Sequence, residues 1–467
     1  MQSLHRLHAI FKKKGFGRKR MNEKITVSRA IKSGDWKVKL STIIMGFGCM
    51  ARKQIVKGIG ILLIEVGFIY YMLTKGFYNL SMLPSLGWRK QQEVWNEAKG
   101  VYEYTKGDMS VLLLLYGIAT IFLIVAFILF WRIQIKQCYK LYKLERNDLK
   151  IPTLKEDFKS MFDKNLHVTL MSLPMLGIIT FNILPLIFMI SMAFTSYSKE
   201  GDHTILFDWI GFENFARVLN LGGNIGRQFW HVAGWTLVWA FFATFLNYFL
   251  GMILALIINR KETKIKGFWR FCFVLTIAVP QFVTLLIMST MLQEQGAVNV
   301  LLKNMGFITK ALPFFQQTTW ARITVVVVNL WVGIPYTMLQ VTGILQNIPA
   351  DLYEAAKIDG AGPVATFFKI TLPYMLFVTT PYLITTFTGN INNFNVIYLL
   401  SGGNPIHVGD TAGQTDLLVT WLYKLTIDQQ YYNLGAVIGI LSFILLSVVS
   451  LVTYRNSKSY KNEEAFR

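Results

Sequence analysis

Charged residues are scarce in this sequence. Only 16% of its 467 residues are charged, whereas 53% are hydrophobic and 14% aromatic. A soluble globular domain carries about 25% charged residues, so this composition excludes an ordinary soluble domain. Several apolar runs of about 20 residues accompany it, which is the length that a helix needs to cross a membrane. The sequence therefore predicts an all-α polytopic membrane protein.

Cysteine and catalytic signatures are also scarce. Cys49, Cys138 and Cys272 are too few and too scattered for a disulfide framework or a zinc site. No GxxxxGK[ST] string occurs, so the chain has no P-loop of its own for ATP. No paired acidic motif of a Mg²⁺-dependent membrane transferase stands out either. We therefore expect neither an enzyme nor a bound cofactor or metal.

Acidic residues are outnumbered, 26 against 47 basic ones, for a net charge of +21. Such a charge can indicate nucleic-acid binding, but the basic residues cluster beside apolar runs, as the positive-inside rule predicts for cytoplasmic segments. No apolar h-region follows KKKGFGRKR near the N-terminus, so it is not a signal peptide; we expect it to touch anionic lipid head groups. No nucleic-acid partner is expected. The basic, cytoplasmic segments are 1–53, 134–167, 259–270 and 455–467.

Eight apolar runs are long enough to span the membrane. An even number places both termini on one side, and the charge asymmetry independently makes that side cytoplasmic. The predicted spans are 54–74, 110–133, 168–195, 232–258, 268–292, 320–345, 374–400 and 433–454.

Three features interrupt this apolar pattern. Glu65 falls near the middle of the first span, where an ionisable side chain is a functional-site hypothesis by default; the interpretation favoured here is a helix–helix contact. Pro280 is expected to kink the fifth span. Residues 40–50 are apolar but too short to span, so they are expected to lie at the interface or to re-enter.

The most informative stretch, from Pro349 to Pro373, is a polar island between the sixth and seventh spans. Pro349 suits the first position of a short helix, and Gly360 suits a left-handed stop at its end. Pro363 can open a second short helix. The stretch is thus predicted to form two short helices joined by a glycine elbow, a compact knob that can dock in a groove on another protein.

This stretch resembles the EAA motif of ABC-importer permeases, EAAxxDGAxxxxxFxxIxLP. The resemblance implies a coupling helix that inserts into a separate cytoplasmic ATPase subunit, with Glu354 facing a basic residue there. The alternative is a hairpin that merely connects two spans. The matching positions are Glu354, Ala355, Ala356, Asp359, Gly360, Ala361, Phe367, Ile370, Leu372 and Pro373.

Two polar clusters lie inside predicted spans, NLWVGIPY at 329–336 and TFTGNINNFN at 386–395. Amides within a membrane helix need partners, and asparagine offers both the donor and the acceptor that suit a sugar hydroxyl. Tyr336 adds a face for a pyranose ring. The alternative is that the amides form interhelical hydrogen bonds, and for Asn392 and Asn395 the two interpretations weigh equally.

Both clusters resemble those of MalF-type maltose/maltodextrin permeases. The pattern N-L-W-x-G-x-P-Y is kept in full, and G-N-I-N-N-F stands where that family has F-N-F-N-N-F. Because Gly389 replaces a stacking phenylalanine, the sugar and its length stay open. The strings WIGFENF at 209–215 and QGAVN at 295–299 also resemble external segments of sugar permeases. The resemblance implies a sugar site of Asn329, Val332, Gly333, Tyr336, Thr386, Asn390 and Asn393.

The resemblance covers about residues 40–455 and implies a domain plan. Two accessory helices at 54–133 and a linker at 134–167 precede a six-helix type I permease core at 168–454, whose coupling loop is 349–373. The implied protein is a subunit of a carbohydrate importer, for a maltodextrin-like oligosaccharide, in the bacterial cytoplasmic membrane.

Its implied partners are a second, MalG-like permease in a heterodimer, a cytoplasmic ATPase dimer and an external sugar-binding protein. Two other functions stay open at this point. One is an ion-coupled secondary transporter, which would need charged residues in its pathway helices. The other is an ABC permease for a non-sugar solute such as glycerol phosphate.

Overall fold

The computed structural model describes residues 25–97, 99–260 and 262–456. Residues 1–24 of the basic N-terminal segment and the predicted tail beyond 456 therefore lie outside the described residues. The chain divides into two compact units. The first runs to Ser191 and includes Thr204–Trp209, and the second comprises Met192–His203 and the chain from Ile210 onward.

The described part of the first unit contains three helices of membrane-spanning length and a small β-hairpin. Its strands Glu93–Asn96 and Val101–Tyr104 pair antiparallel, with Glu93 opposite Tyr104. Its helical segments are Val27–Ser33, Trp36–Leu40, Phe47–Met50, Ile55–Tyr71, Met72–Gly76, Phe77–Met82, Ser110–Arg146, Leu154–Met161, Leu166–Ile178, Ile179–Ile183 and Leu184–Met192, the last of which ends at the unit boundary.

The described part of the second unit consists of helices, loops and one isolated antiparallel bridge between Ile406 and Gly413. Its helical segments are Glu200–Asp202, Glu213–Leu219, Asn224–Phe241, Phe242–Leu246, Asn247–Asn259, Lys266–Ala278, Gln281–Met291, Ala297–Asn304, Thr318–Leu345, Ala350–Ile358, Pro363–Thr366, Phe367–Thr371, Leu372–Ile391, Phe394–Leu400, Leu418–Tyr423, Lys424–Asp428 and Tyr432–Asn456.

Seven described helices are long and apolar enough to cross a membrane, and a bent pair makes up to eight. This matches the predicted number, although the ends differ. The second span, Ser110–Arg146, has 37 residues, about 55 Å at 1.5 Å per residue. A hydrocarbon core is about 30 Å thick, so the basic end of this helix reaches well past the predicted end at 133, into the predicted linker.

The seventh span differs most from its prediction of 374–400. The helix begins at Pro363 and ends at Ile391, so the second helix of the predicted hairpin is the start of the span. Pro373 does not interrupt it, because a wider π turn over Phe367–Thr371 comes directly before. Proline removes one hydrogen bond and crowds the preceding turn, and a π turn relieves both. The third span shows the same arrangement, with a π turn over Ile179–Ile183 before Pro185.

The fifth span is broken rather than gently kinked. Its halves, Lys266–Ala278 and Gln281–Met291, meet at an angle of 85°. Val279 and Pro280 between them have extended backbone, with ψ values of 126° and 128°. Pro280 cannot donate the hydrogen bond that would continue the first helix. The break therefore arises from the local sequence. It interrupts the helical hydrogen bonding of the backbone in an otherwise apolar segment.

Glu65 has a structural contact in the first unit. Its carboxylate accepts a hydrogen bond of 2.8 Å from the backbone N–H of Met45. Gly46, which has φ 79°, lies close to Gly58 of the first span, where an added Cβ would meet the Gly46 carbonyl oxygen at 2.8 Å. Residues 40–50 thus pack against the first span, and Glu65 is the polar anchor of that packing.

Candidate functional site

The stretch after the sixth span folds into a helix, a glycine elbow and a second helix start. The first helix is Ala350–Ile358, and Pro349 is its N-terminal cap rather than its first residue as predicted. Gly360 has φ 73°, the left-handed conformation that glycine adopts without strain. The N–H of Gly360 bonds to the carbonyl of Lys357, and the N–H of Ala361 bonds to that of Ala356. This is a Schellman motif, which ends the helix at a defined angle. We call the segment 349–366 the coupling hairpin, after the role predicted for it from the sequence.

The coupling hairpin is anchored on one face. Ala356 is buried, and the hydroxyls of Tyr353 and Thr371 lie 3.1 Å apart. Tyr353 packs against a core cluster that joins the fourth, sixth and seventh spans, and Phe367 belongs to the same packing. The hairpin therefore packs directly against these helices.

The opposite face of the coupling hairpin is free within this chain. Glu354, Ala355 and Asp359 are exposed, and Glu354 makes no ion pair among the described residues. Two apolar side chains are unusually open, since Ile358 is 85% and Val364 71% exposed. An exposed apolar pair beside an unpaired carboxylate is typical of a docking surface.

A cavity of about 480 Å³ lies where the broken fifth span faces the sixth. Three of the predicted sugar-site residues line it, Val332, Gly333 and Tyr336. The other lining residues are Thr276, Ile277, Val279, Pro280, Gln281, Thr284 and Trp331. None of these ten described residues is charged, so the site combines hydroxyl, amide and aromatic groups, which suits a neutral polar ligand.

Gly333 permits close packing beside this cavity. A Cβ at this position would lie 2.6 Å from Nδ2 and 2.7 Å from Oδ1 of Asn247 on the fourth span. Asn247 donates to the Ala243 carbonyl at 2.8 Å, which holds its amide in place. One turn earlier, Asn329 is buried and its Nδ2 has no partner among the described residues. A buried unpaired donor is costly, so this amide is available to a ligand or a water molecule.

The seventh-span asparagines form a second polar group, which does not line the cavity. Asn390 Nδ2 donates to Thr244 Oγ1 at 2.9 Å, and Asn393 Nδ2 lies 3.4 Å from Asn390 Oδ1. Asn393 also caps the short helix Phe394–Leu400. Asn390 therefore makes the interhelical bond that the alternative interpretation described. The structure brings together Val332, Gly333 and Tyr336, and separately Asn390 and Asn393; Thr386 is partly buried on the seventh span.

The sequence interpretation missed one wall of the cavity. Thr276, Gln281 and Thr284 of the fifth span contribute polar groups to it. The available signal was the string AVPQF at 278–282, in which a proline precedes a glutamine inside an apolar run. Proline was interpreted only as a kink, whereas the break also turns the flanking polar side chains toward the sixth span.

Asn214 in the string WIGFENF and Asn299 in the string QGAVN both have structural roles. Asn214 donates to the carbonyls of Ala193 and Thr195 and accepts from Asn433. Asn299 exchanges hydrogen bonds with the backbone of Leu312. Both asparagine side chains are buried, so they stabilise loops and are not accessible to a ligand.

The described residues form up to eight helices that are long and apolar enough to span a membrane, which defines an all-α polytopic membrane protein. Residues 247–458 match the family model described as "Binding-protein-dependent transport system inner membrane component". The chain belongs to the binding-protein-dependent sugar permeases of ABC importers, of the MalF type.

Two curated relatives illustrate the similarity. The galactooligosaccharides transport system permease protein GanP of Bacillus subtilis is 34% identical over 432 residues, covering 91% of this chain and 98% of GanP. The maltodextrin transport system permease protein MalC of Streptococcus pneumoniae serotype 4 is 34% identical over 440 residues, covering 92% and 97%. A crystal structure of a bacterial alginate ABC transporter contains a chain with the same fold, at a TM-score of 0.52 and 22% identity, covering 64% of this chain and 96% of that one.

Proposed function

We propose that this permease carries a neutral oligosaccharide inward through the cavity between the fifth and sixth spans. The observation that carries the proposal is the lining of that cavity, with Gln281, Thr276 and Thr284 opposite Trp331 and Tyr336. Hydroxyl and amide groups pair with sugar hydroxyls, and aromatic faces pack on pyranose rings. The relatives named for maltodextrin and galactooligosaccharide transport support this substrate class.

The lining also weighs against the two rival functions. A glycerol-phosphate permease would need a cation for the phosphate, and an ion-coupled transporter would need an ionisable residue in its pathway. Among the described lining residues there is neither. Glu65, the carboxylate within the first span, is bonded to the Met45 backbone in the first unit.

The sugar contacts are proposed to come from both polar groups of the second unit. Val332, Gly333 and Tyr336 line the cavity, and Asn329 offers a buried amide with an unpaired donor. Thr386, Asn390 and Asn393 are proposed to join the site when the helices move. Asn390 must then exchange its bond to Thr244 for one to a sugar hydroxyl.

The coupling hairpin is proposed to dock on one subunit of a separate ATPase dimer. Ile358 and Val364 supply the apolar contact, and Glu354 supplies a carboxylate for an Arg or Lys of the partner. ATP binding closes the dimer and draws this hairpin toward that of a second, MalG-like permease. The spans then rock and expose the cavity to an external sugar-binding protein. Hydrolysis reverses the motion.

Both termini are proposed to be cytoplasmic. The basic residues Lys140, Lys143 and Arg146 lie at one end of the second span, which the positive-inside rule places in the cytoplasm. In a cysteine-free background, an impermeant thiol reagent applied from outside should label single cysteines in 75–109 and 401–431 but not at 146. External labelling at 146 contradicts this orientation.

The substrate is tested by uptake into proteoliposomes that contain the complete importer. A panel of labelled maltotriose, a galactotriose and glycerol 3-phosphate should give uptake of at least one oligosaccharide and none of the phosphate. Replacing Gln281 by Leu should weaken sugar uptake about three- to tenfold, the effect of one lost polar contact. Phosphate uptake without sugar uptake contradicts the proposal.

A further inference from the structure

A second polar cavity, of about 550 Å³, lies within the first unit, where the first span ends and the second begins. The π turn Met72–Gly76 forms part of its wall. Its lining holds three tyrosines, Tyr71, Tyr78 and Tyr116, together with Thr74, Lys75, Asn79, Gly107, Asp108, Met109, Leu112 and Leu113. This size is within the range of small-molecule sites.

Asn79 is the feature that points to a ligand. Asn79 as a whole is only 8% exposed, yet it lines the cavity. Among the described residues, its amide has no hydrogen-bond partner. The amide atoms stay accessible from the cavity, so a ligand that displaces water from them must supply both an acceptor and a donor. The occupant of the cavity is therefore expected to both accept and donate a hydrogen bond.

The charges around Asn79 are nearly balanced. Asp108 accepts from the backbone N–H groups of Trp88 and Arg89, and Arg89 lies within ion-pair distance of the same carboxylate. Lys75 makes no ion pair among the residues described here. A single exposed lysine is a weak site for a phosphate group, which is usually held by several cations or backbone N–H groups.

The tyrosines supply faces rather than charges. Tyr71 uses its hydroxyl to bond Thr120 at 2.8 Å, which fixes its ring. Tyr78 accepts from Arg89 at 3.3 Å and keeps its own proton free to donate. Tyr116 is 49% exposed at the cavity mouth. Rigid aromatic faces beside an unpaired amide match a pyranose ring, whose hydroxyls both donate and accept.

From these contacts we infer that the first unit carries a peripheral carbohydrate-binding site, which takes one or two pyranose units through Asn79, Tyr78 and Tyr116. The basic end of the second span is the opposite end of the same helix, so the positive-inside rule places this cavity on the outer side. The inference rests on the proposed function for its sugar class. It adds a site at which the oligosaccharide is held away from the cavity of the fifth and sixth spans.

The test is photolabelling of the complete importer in nanodiscs with diazirine derivatives of maltotriose and of a galactotriose, followed by peptide mass spectrometry. Labelling is expected on peptides 71–79 and 108–116, and separately on 329–336. Asn79→Leu and Tyr116→Ala should each reduce the first two signals about fivefold or more, the effect of an unpaired or lost contact. Tyr116 is half exposed, so its replacement leaves the packing intact.

Tyr70→Ala is the matched control. Tyr70 is 69% exposed, lies on the first span together with Asn79, and does not line the cavity. It should leave all signals unchanged. Labelling of 329–336 alone overturns this inference and leaves the proposed function standing, whereas no labelling anywhere together with no sugar uptake overturns both. Labelling of 71–79 by a photoreactive phosphatidylglycerol, without competition by sugar, identifies a lipid site and also overturns the inference.

Discussion

The coupling hairpin and the cavity of the fifth and sixth spans are organised in opposite ways. In the hairpin, one contiguous stretch supplies the helix, the αL glycine and the start of the next helix. Its backbone N–H groups donate hydrogen bonds to carbonyl groups of the same stretch. The cavity draws Gln281 and Tyr336 from separate helices, and a close contact between Gly333 and Asn247 shapes its surroundings. Local chemistry can be recognised in a linear motif, whereas a cavity depends on how distant segments pack.

The largest effect is expected in the coupling hairpin. Gly360→Pro cannot adopt φ 73°, because proline fixes φ near −65°, and Glu354→Lys reverses the charge of the proposed contact. Losing one partner of a desolvated charge pair costs about 2–5 kcal/mol. Both variants should abolish the sugar-stimulated ATPase activity of the reconstituted complex, measured with saturating binding protein.

Gly362→Ala is the control for this experiment. Gly362 has φ −72°, and an added Cβ would meet open space. We expect normal stimulation in this variant and unchanged activity of the isolated ATPase. Normal stimulation in Gly360→Pro and Glu354→Lys, with the subunits still co-purifying, would show that the hairpin is only a connector.

A second, smaller effect tests the cavity. Gly333→Val inserts side-chain atoms against the Asn247 amide and narrows the space beside Tyr336. Overpacking of this kind costs about 1–3 kcal/mol, so uptake should fall about tenfold or more. Gly343→Ala on the same helix meets nothing within 4 Å and should transport normally. Equal uptake by both variants would place the pathway elsewhere.

The smallest effect separates the two interpretations of Asn390. Thr244→Val removes the hydroxyl that Asn390 binds, at a cost of about 0.5–1.5 kcal/mol. If Asn390 also contacts sugar, Asn390→Leu should raise the KM for uptake several-fold more than Thr244→Val does. Matching losses of thermal stability and identical KM values in the two variants would assign Asn390 to interhelical bonding alone.

Much of the fold could be predicted from the sequence, because apolar length and basic flanks determine which segments can span. Two of the errors involve proline. The seventh span was predicted to start at residue 374, after Pro373, yet the π turn Phe367–Thr371 carries one helix from Pro363 to Ile391. Pro280, predicted to kink a helix, breaks it at 85° instead. Whether a helix accommodates a proline depends on neighbouring turns and packing, which composition does not encode.

The candidate site was only partly predictable for a related reason. Val332, Gly333 and Tyr336 lie together because they share one helix face, and they were found from one string. Asn390 has the residue type expected of a sugar contact, but its partner Thr244 is 146 positions away in the chain. Gln281 and Thr284 reach the cavity only through the break in the fifth span. Such pairings are set by tertiary packing.

The most direct measurement is uptake of radiolabelled oligosaccharide by proteoliposomes that contain this permease with its partner permease and ATPase. Uptake should require ATP inside the vesicles, where the ATPase subunits lie, and binding protein outside. It should persist when a protonophore collapses the ion gradient. Gly360→Pro should abolish this uptake. Uptake that continues without ATP and stops with the protonophore would contradict the account of an ATP-driven importer coupled through the hairpin.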